Sequence, residues 1–165
     1  MRFATLVLTF ALAGCVTHYS VPEGQPTATI SFSSPRPQFS SLVRVQAFSD
    51  RQCGKSPHGT TLAIFTSGTA REFDNPAGTE RKVIAGSEFV YTFYYGMTTM
   101  TNMISSTTCK VTTAFLPEPN RLYKAHLEIG ADGCSATLNR VATDGETLEA
   151  VASAHVTPAC FDAIN

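Results

Sequence analysis

Short runs in which apolar and polar side chains alternate constrain the fold of this chain more than any other feature. The clearest is the run 123–129, where Tyr, Ala, Leu and Ile alternate with Lys, His and Glu. A second run carries the aromatic stripe Phe89, Tyr91, Phe93 and Tyr95. Alternation with a period of two is typical of a β-strand that buries one face. These segments therefore predict strands packed against a core.

Similar runs recur along the chain, separated by turns rich in proline, glycine, asparagine and aspartate. The remaining runs lie near residues 28–32, 43–47, 60–65, 81–85, 109–115, 134–138 and 147–156. Long helical periodicity is absent. The pattern predicts an all-β domain: an antiparallel β-sandwich of the immunoglobulin or transthyretin kind, with eight or nine short strands and two disulfides. A closed barrel is the alternative.

The N-terminus carries a separate signal. Arg2 precedes an apolar run from Phe3 to Ala13, which is the layout of a secretory signal and too short to span a membrane as a helix. The run ends in Leu12-Ala13-Gly14-Cys15, which resembles the lipobox of bacterial lipoproteins. The resemblance implies cleavage after residue 14 and lipidation of Cys15. An ordinary signal peptide with a chance cysteine is the alternative.

The same resemblance implies an address. In that family an aspartate after the lipidated cysteine favours the inner membrane, whereas Val16 stands here, so we expect the periplasmic face of the outer membrane. The chain then divides into a signal peptide (1–14), a lipidated tether (15–26) and a β-sandwich domain (27–165). The segment 115–123, a strand ending in Phe-Leu-Pro before a turn and a tyrosine, resembles small uncharacterised periplasmic lipoproteins and implies a sandwich without implying an activity.

Four cysteines remain once Cys15 is assigned to the lipid. An even number in an exported chain predicts two disulfides, and the absence of a C-x2-C spacing disfavours zinc. Three pairings are possible. A hairpin turning at residues 144–145 would bring Cys134 opposite His155. Cys160 lies a few residues beyond His155 and would then be within reach of Cys134. We therefore prefer the pair Cys134–Cys160, which leaves Cys53–Cys109.

Met97, Met100 and Met103 recur every three residues in a Thr/Ser-rich stretch that we expect to form a loop. Thioethers bind Cu(I), so the three methionines are candidate metal ligands. Flexible methionines also suit a partner-binding surface. The interpretation we prefer is a structural loop that folds back on the edge of the sandwich.

Charge and motifs narrow the function classes. With Arg2 removed from the 12 Lys and Arg residues, 11 basic residues face 13 acidic ones, and no basic patch favours nucleic acid. No G-x-S-x-G motif or phosphate-binding glycine loop is present. We expect no enzyme activity and no cofactor. The prediction is a structural or adaptor protein that meets the membrane through its lipid and contacts an envelope protein. The alternatives are a binder of Cu(I) or a small ligand, and an inhibitor or immunity-type protein.

Overall fold

The computed structural model describes residues 19–35, 41–51, 59–66, 80–100, 104–152 and 154–157. Within these ranges the chain forms ten β-strands and no helix. The strands are β1 (Thr27–Ser33), β2 (Ser41–Phe48), β3 (Thr60–Thr66), β4 (Glu80–Ile84), β5 (Phe89–Met100), β6 (Ile104–Phe115), β7 (Leu122–Gly130), β8 (Gly133–Val141), β9 (Leu148–Ala150) and β10 (His155–Thr157). The predicted all-β class is confirmed.

The strands form two five-stranded sheets. Sheet A has the order β4-β1-β7-β8-β9, and sheet B has the order β10-β6-β5-β2-β3. All pairs are antiparallel except β1 and β7, which run parallel with Thr29 opposite Leu122. The prediction of a wholly antiparallel arrangement is wrong at this pair. The run 147–156, predicted as one strand, forms β9 in sheet A and β10 in sheet B.

The two sheets face each other in a sandwich-like arrangement. The ring of Phe32 on β1 lies 5.3 Å from that of Tyr91 on β5, and the ring of Phe115 on β6 lies 5.0 Å from that of Tyr123 on β7. The aromatic stripe on β5 is buried, as its alternation predicts. Apolar residues of run 123–127 are buried on the facing sheet. The predicted inside and outside faces of these two strands are confirmed.

The domain has two ends that differ in what they carry. At one end, short connections join β4 to β5 and β6 to β7, and β1 begins. We call this the N-terminal end. At the opposite end, which we call the far end, β5 runs out to Met100 and β6 returns from Ile104. A strand advances about 3.4 Å per residue, so β5 and β6 are the longest elements joining the two ends.

The segment that precedes β1 is packed on the N-terminal end. The ring of Tyr19 lies 5.8 Å from that of Phe89 and packs against the core, and its burial raises the pKa of the Tyr19 hydroxyl. The Ala85 N–H donates to the Pro26 carbonyl over 2.8 Å. Within the predicted tether of residues 15–26, Tyr19 and Pro26 therefore contact the domain. Residues 15–18 lie outside the described ranges.

The connection from β6 to β7 is stiffened by Tyr123. The buried Tyr123 hydroxyl accepts a hydrogen bond from the Glu118 N–H at 2.9 Å, across the turn that contains Pro117 and Pro119. Asn120 completes the turn with a φ of 60°, in the left-handed region that asparagine tolerates better than most residues. The tyrosine side chain thus spans the turn.

The turn from β8 to β9 depends on one carboxylate. Asp144 accepts hydrogen bonds from the Thr147 hydroxyl at 2.5 Å and from the N–H groups of Glu146 and Thr147, both at 2.9 Å. These bonds, that of the Thr147 hydroxyl first, lower the pKa of Asp144. A carboxylate with a lowered pKa in the folded state stabilises that state at pH values above its unfolded pKa of about 3.9. This contribution disappears as the pH falls through the folded pKa.

Replacing Asp144 with asparagine is therefore expected to lower the melting temperature at pH 7 and to have a declining effect as the pH is lowered below 4. Thermal unfolding of both proteins over that range measures the difference. Glu146→Gln serves as the control, because it also removes one negative charge from this turn but leaves the Asp144 carboxylate in place as the acceptor. A pH-independent difference for Asp144→Asn would contradict the role of the carboxylate.

Candidate functional site: the β5–β6 arm

The hairpin of β5 and β6 projects at the far end of the domain. The two strands pair over their full length, from Phe89 opposite Phe115 to Met100 opposite Ile104. On one side β2 pairs with β5 no further than Met97, and on the other β10 pairs with β6 only at residues 112–114. We call residues 97–100 and 104–107 the arm. In the described part of the chain, it is a ribbon of two strands.

The side chains of the arm that the structure describes as exposed are polar and uncharged. Thr98, Ser106 and Thr107 are exposed, and Thr108 continues the exposed hydroxyl-bearing stretch at the base. No Asp, Glu, Lys or Arg occurs between residues 97 and 109. Threonine favours the extended conformation, which explains why this stretch forms strand rather than loop. A two-stranded ribbon is marginally stable in water, so the arm needs support at its base.

A disulfide supplies that support. Cys109 on β6 is bonded to Cys134 on β8, with 6.1 Å between their Cα atoms. Cys134 is the second residue of β8, at the far end of sheet A, and Cys109 lies opposite Tyr95 in sheet B. The bridge thus joins the two sheets directly beneath the arm. From this level the arm extends five residues, or about 17 Å at 3.4 Å per residue.

The observed bridge corrects the preferred disulfide pairing. Neither Cys53–Cys109 nor Cys134–Cys160 is compatible with a Cys109–Cys134 bond. The error arose from the last strand: His155 lies opposite Ala114 in sheet B, whereas Cys134 was expected to face it across a hairpin of sheet A. Cys53 and Cys160 lie outside the described residues. Among four cysteines, they are the pair that remains.

Met97 and Met100 occupy strand positions in β5, so the prediction of a loop is wrong at these two residues. Met97 packs against the core, and its sulfur lies 3.3 Å from the Tyr95 hydroxyl, which donates to it. Strand positions three apart belong to opposite faces, so the backbone does not bring Met97 and Met100 together. Met103 and the side chain of Met100 lie outside what the structure describes. The described residues contain no cluster of three His, Cys, Asp or Glu residues suited to a metal.

One pair of polar side chains was not foreseen. The Nδ1 atom of His126 lies 2.8 Å from the Ser33 hydroxyl on the outer face of sheet A, and the same hydroxyl lies 3.4 Å from the Ala125 carbonyl. These contacts link the parallel strands β1 and β7. A serine beside a histidine suggests a nucleophile, but here the pair is exposed on a flat strand surface and ties two neighbours together. Predicting this contact from the sequence would require the register of the parallel strands β1 and β7.

A cavity of about 280 Å³ lies at the edge of sheet A and includes Leu116, Tyr123 and Arg140 in its lining. The Arg140 guanidinium binds Glu149 at 2.7 Å and Glu118 at 2.6 Å. The hydrogen bond to Glu149, followed by the charge of Glu118, raises the pKa of Arg140. Because two carboxylates already neutralise this cation, the cavity does not favour an anionic ligand.

Comparison with known proteins returns no matching family model, no matching curated protein and no matching solved structure. Over the ranges that the structure describes, no helix has the length and apolar character needed to cross a bilayer. The interpretation of the arm and of the two ends therefore depends on the residues of this chain.

Proposed function

We propose that this protein is a lipid-anchored adaptor of the bacterial cell envelope, without enzymatic activity. A lipid on Cys15 holds it at the periplasmic face of the outer membrane, and the arm contacts an envelope protein. One observation carries the proposal: the arm lies at the end of the domain opposite to Tyr19, which follows Cys15 by four residues. The anchor and the projecting surface are thereby separated by the length of the sheets.

The chemistry of the arm supports a role in protein binding. Its exposed hydroxyl groups both donate and accept hydrogen bonds, and the strand edges of the ribbon offer backbone groups to an added strand. The absence of charge between residues 97 and 109 removes the Lys and Glu residues that often protect such edges.

We further propose a second bridge between Cys53 and Cys160 and a sandwich of the immunoglobulin or transthyretin kind.

The clamped arm also favours a second candidate, an inhibitor or immunity-type protein. Inhibitory loops are effective when they are rigid before binding, because little conformational entropy is then lost. The Cys109–Cys134 bridge at the base of the arm meets this requirement. The two candidates differ in the partner: an inhibitor lowers the activity of an enzyme that it captures, whereas an adaptor joins its partner to the membrane.

The proposal is tested by photo-crosslinking in cells that produce the lipidated protein. A photoreactive residue at Ser106 in the arm is expected to give a discrete protein adduct, whereas one at Lys124, on the outer face of sheet A, gives none. The comparison is matched because both positions are polar strand sites on the same chain. Equal labelling from both positions contradicts a role for the arm.

Two further variants separate the arm from the anchor. In the first, residues 98–106 are replaced by Asn-Gly, which closes the hairpin between Met97 and Thr107 with a two-residue turn. This variant is expected to remain membrane-bound and folded but to lose the partner. In the second, Cys15→Ser is expected to release the protein from the membrane fraction. Partner binding by the variant with the shortened arm would refute the proposed role of the arm. Membrane association of Cys15→Ser would refute the proposed anchor.

A further inference from the structure

We infer that the N-terminal end of the domain rests directly on the lipid surface and touches it through Leu116 and Leu148. The inference depends on the proposed lipid anchor at Cys15 and adds a second, reversible contact to it. The domain would then contact the membrane directly instead of being held away from it by the tether of residues 15–26. Three features of the chain carry it: the reach of the anchor, the position of the two leucines and the pairing of the nearby arginines.

The first feature is the short distance between the anchor and the folded domain. Tyr19 packs beside Phe89 at the N-terminal end, and Cys15 precedes it by only four residues. Four residues span at most about 14 Å when fully extended. Whatever conformation residues 15–18 adopt, this end of the domain stays within that distance of the lipid on Cys15.

The second feature is the placement of exposed apolar side chains. Among the described residues, Leu116 and Leu148 are the large apolar side chains that remain exposed, at 55% and 49%. Leu116 directly follows β6, and Leu148 lies opposite Val141, the last residue of β8. Both positions are at the N-terminal end. Removing such side chains from water is favourable, and a bilayer within reach of the anchor offers the apolar environment.

The third feature identifies the kind of lipid contact. Three described arginines at this end are paired with carboxylates: Arg51 with Glu88, Arg121 with Glu118, and Arg140 with Glu118 and Glu149. The same end also carries Arg81 and Lys82 on β4. Attraction to anionic headgroups depends on clusters of available basic residues and weakens with salt. Two further basic residues are fewer than the cluster of about four to eight that marks an anionic-headgroup site, so the contact is mainly apolar and fits a zwitterionic bilayer as well as an anionic one.

This contact sets the height at which the arm works. β5 starts at Phe89, beside the membrane-facing end, and runs 12 residues to Met100. At 3.4 Å per residue, a strand of this length covers about 40 Å. The partner of the arm is thus engaged about that far from the headgroups.

The absence of tryptophan from the chain allows a direct test. Leu116→Trp, Leu148→Trp and the control Ser106→Trp are each produced as lipidated, full-length protein and reconstituted into phosphatidylcholine vesicles with or without shallow acyl-chain bromination. Fluorescence from positions 116 and 148 is expected to fall about twofold on brominated vesicles, since surface-bound apolar side chains reach the acyl boundary. Fluorescence from position 106 is expected to remain unchanged. High salt and added phosphatidylglycerol are expected to leave all three results unaltered.

Vesicle flotation, measured on the same samples, distinguishes failure of the leucine contact from failure of the lipid anchor. Protein that floats while positions 116 and 148 are quenched no more than position 106 overturns the lipid contact and leaves the anchor intact. Protein that fails to float overturns both. Deuterium uptake of the unaltered protein provides a check that needs no substitution. Peptides covering residues 116–121 and 142–148 are expected to exchange more slowly on vesicles than in detergent, and unchanged exchange counts against the contact.

Discussion

Replacing Phe32 with alanine is expected to lower the free energy of unfolding by about 3–5 kcal/mol, the usual effect of deleting a buried aromatic ring. Phe32 is 1% exposed, and its ring lies 5.3 Å from Tyr91 and 5.9 Å from Phe93 in the opposite sheet. The substitution would leave a cavity between the two sheets. Denaturation by urea, followed by circular dichroism, measures the loss.

Leu116→Ala is the matched control for Phe32→Ala. It also truncates a large apolar side chain, but this one is 55% exposed. In protein free of lipid and detergent, we expect Leu116→Ala to change the free energy of unfolding by no more than about 0.5 kcal/mol, as for most surface substitutions. Similar losses for Phe32→Ala and Leu116→Ala would show that Phe32 does not belong to the core between the sheets.

Removing the inter-sheet bridge is the second large effect that we expect. The double variant Cys109→Ala with Cys134→Ala opens a loop with a sequence separation of 25. The chain-entropy estimate for a loop of this size is about 3.5 kcal/mol. For a domain of this length, that loss corresponds to a fall of about 7–14 °C in the melting temperature. Calorimetry of the oxidised proteins measures it.

The effect of the bridge should be concentrated in the arm, because the bond lies at its base. Amide exchange of residues 104–108 is expected to accelerate more than that of residues 123–127 in the core of sheet A. Ser135→Ala, which alters the exposed neighbour of Cys134, is the control and should leave both rates unchanged. Peptide mapping without reduction is expected to recover a fragment that links Cys109 to Cys134. Recovery of Cys134 linked to Cys160 would contradict the structure.

Strand positions and buried faces could be predicted from the sequence because both are local properties. The alternation at residues 89–95 and 123–127 identifies which side chains point inward, and the structure confirms it. Strand alternation requires only the period of two, and no knowledge of the neighbouring strand. The hydrogen bond between Tyr123 and Glu118 is likewise local, since both residues lie within one short segment.

Pairing partners could not be predicted, because they depend on contacts between distant segments. The register that sets β1 beside β7 joins residues more than 90 positions apart. The same limitation explains the wrong disulfide prediction, in which a local hairpin was extended as far as His155. The chain instead leaves sheet A after β9 and enters sheet B as β10.

The candidate site illustrates both outcomes. The methionine spacing marks the stretch in which the arm begins, but the predicted loop conformation is wrong for residues 97–100 and 104–107. The β-branched residues Thr98 and Thr99 favour a strand, but hydroxyl-bearing residues stand next to one another here, so no alternation of apolar and polar side chains marks it. The contact of Tyr19 with Phe89 had no sequence signal for a related reason: a single aromatic residue among Pro, Gly and polar neighbours carries no periodicity.

The parallel pairing of β1 and β7 has a consequence for the order of assembly. β1 is the first strand of the chain, yet within sheet A it lies between β4 and β7 and cannot be enclosed until residues 122–130 are available. Long-range pairing of this kind is slow compared with local hairpin formation. If the chain crosses a membrane from its N-terminus, β1 can pair with β4 first, but its other edge stays open until β7 has emerged. Such a delay postpones closure of the core until most of the chain has crossed.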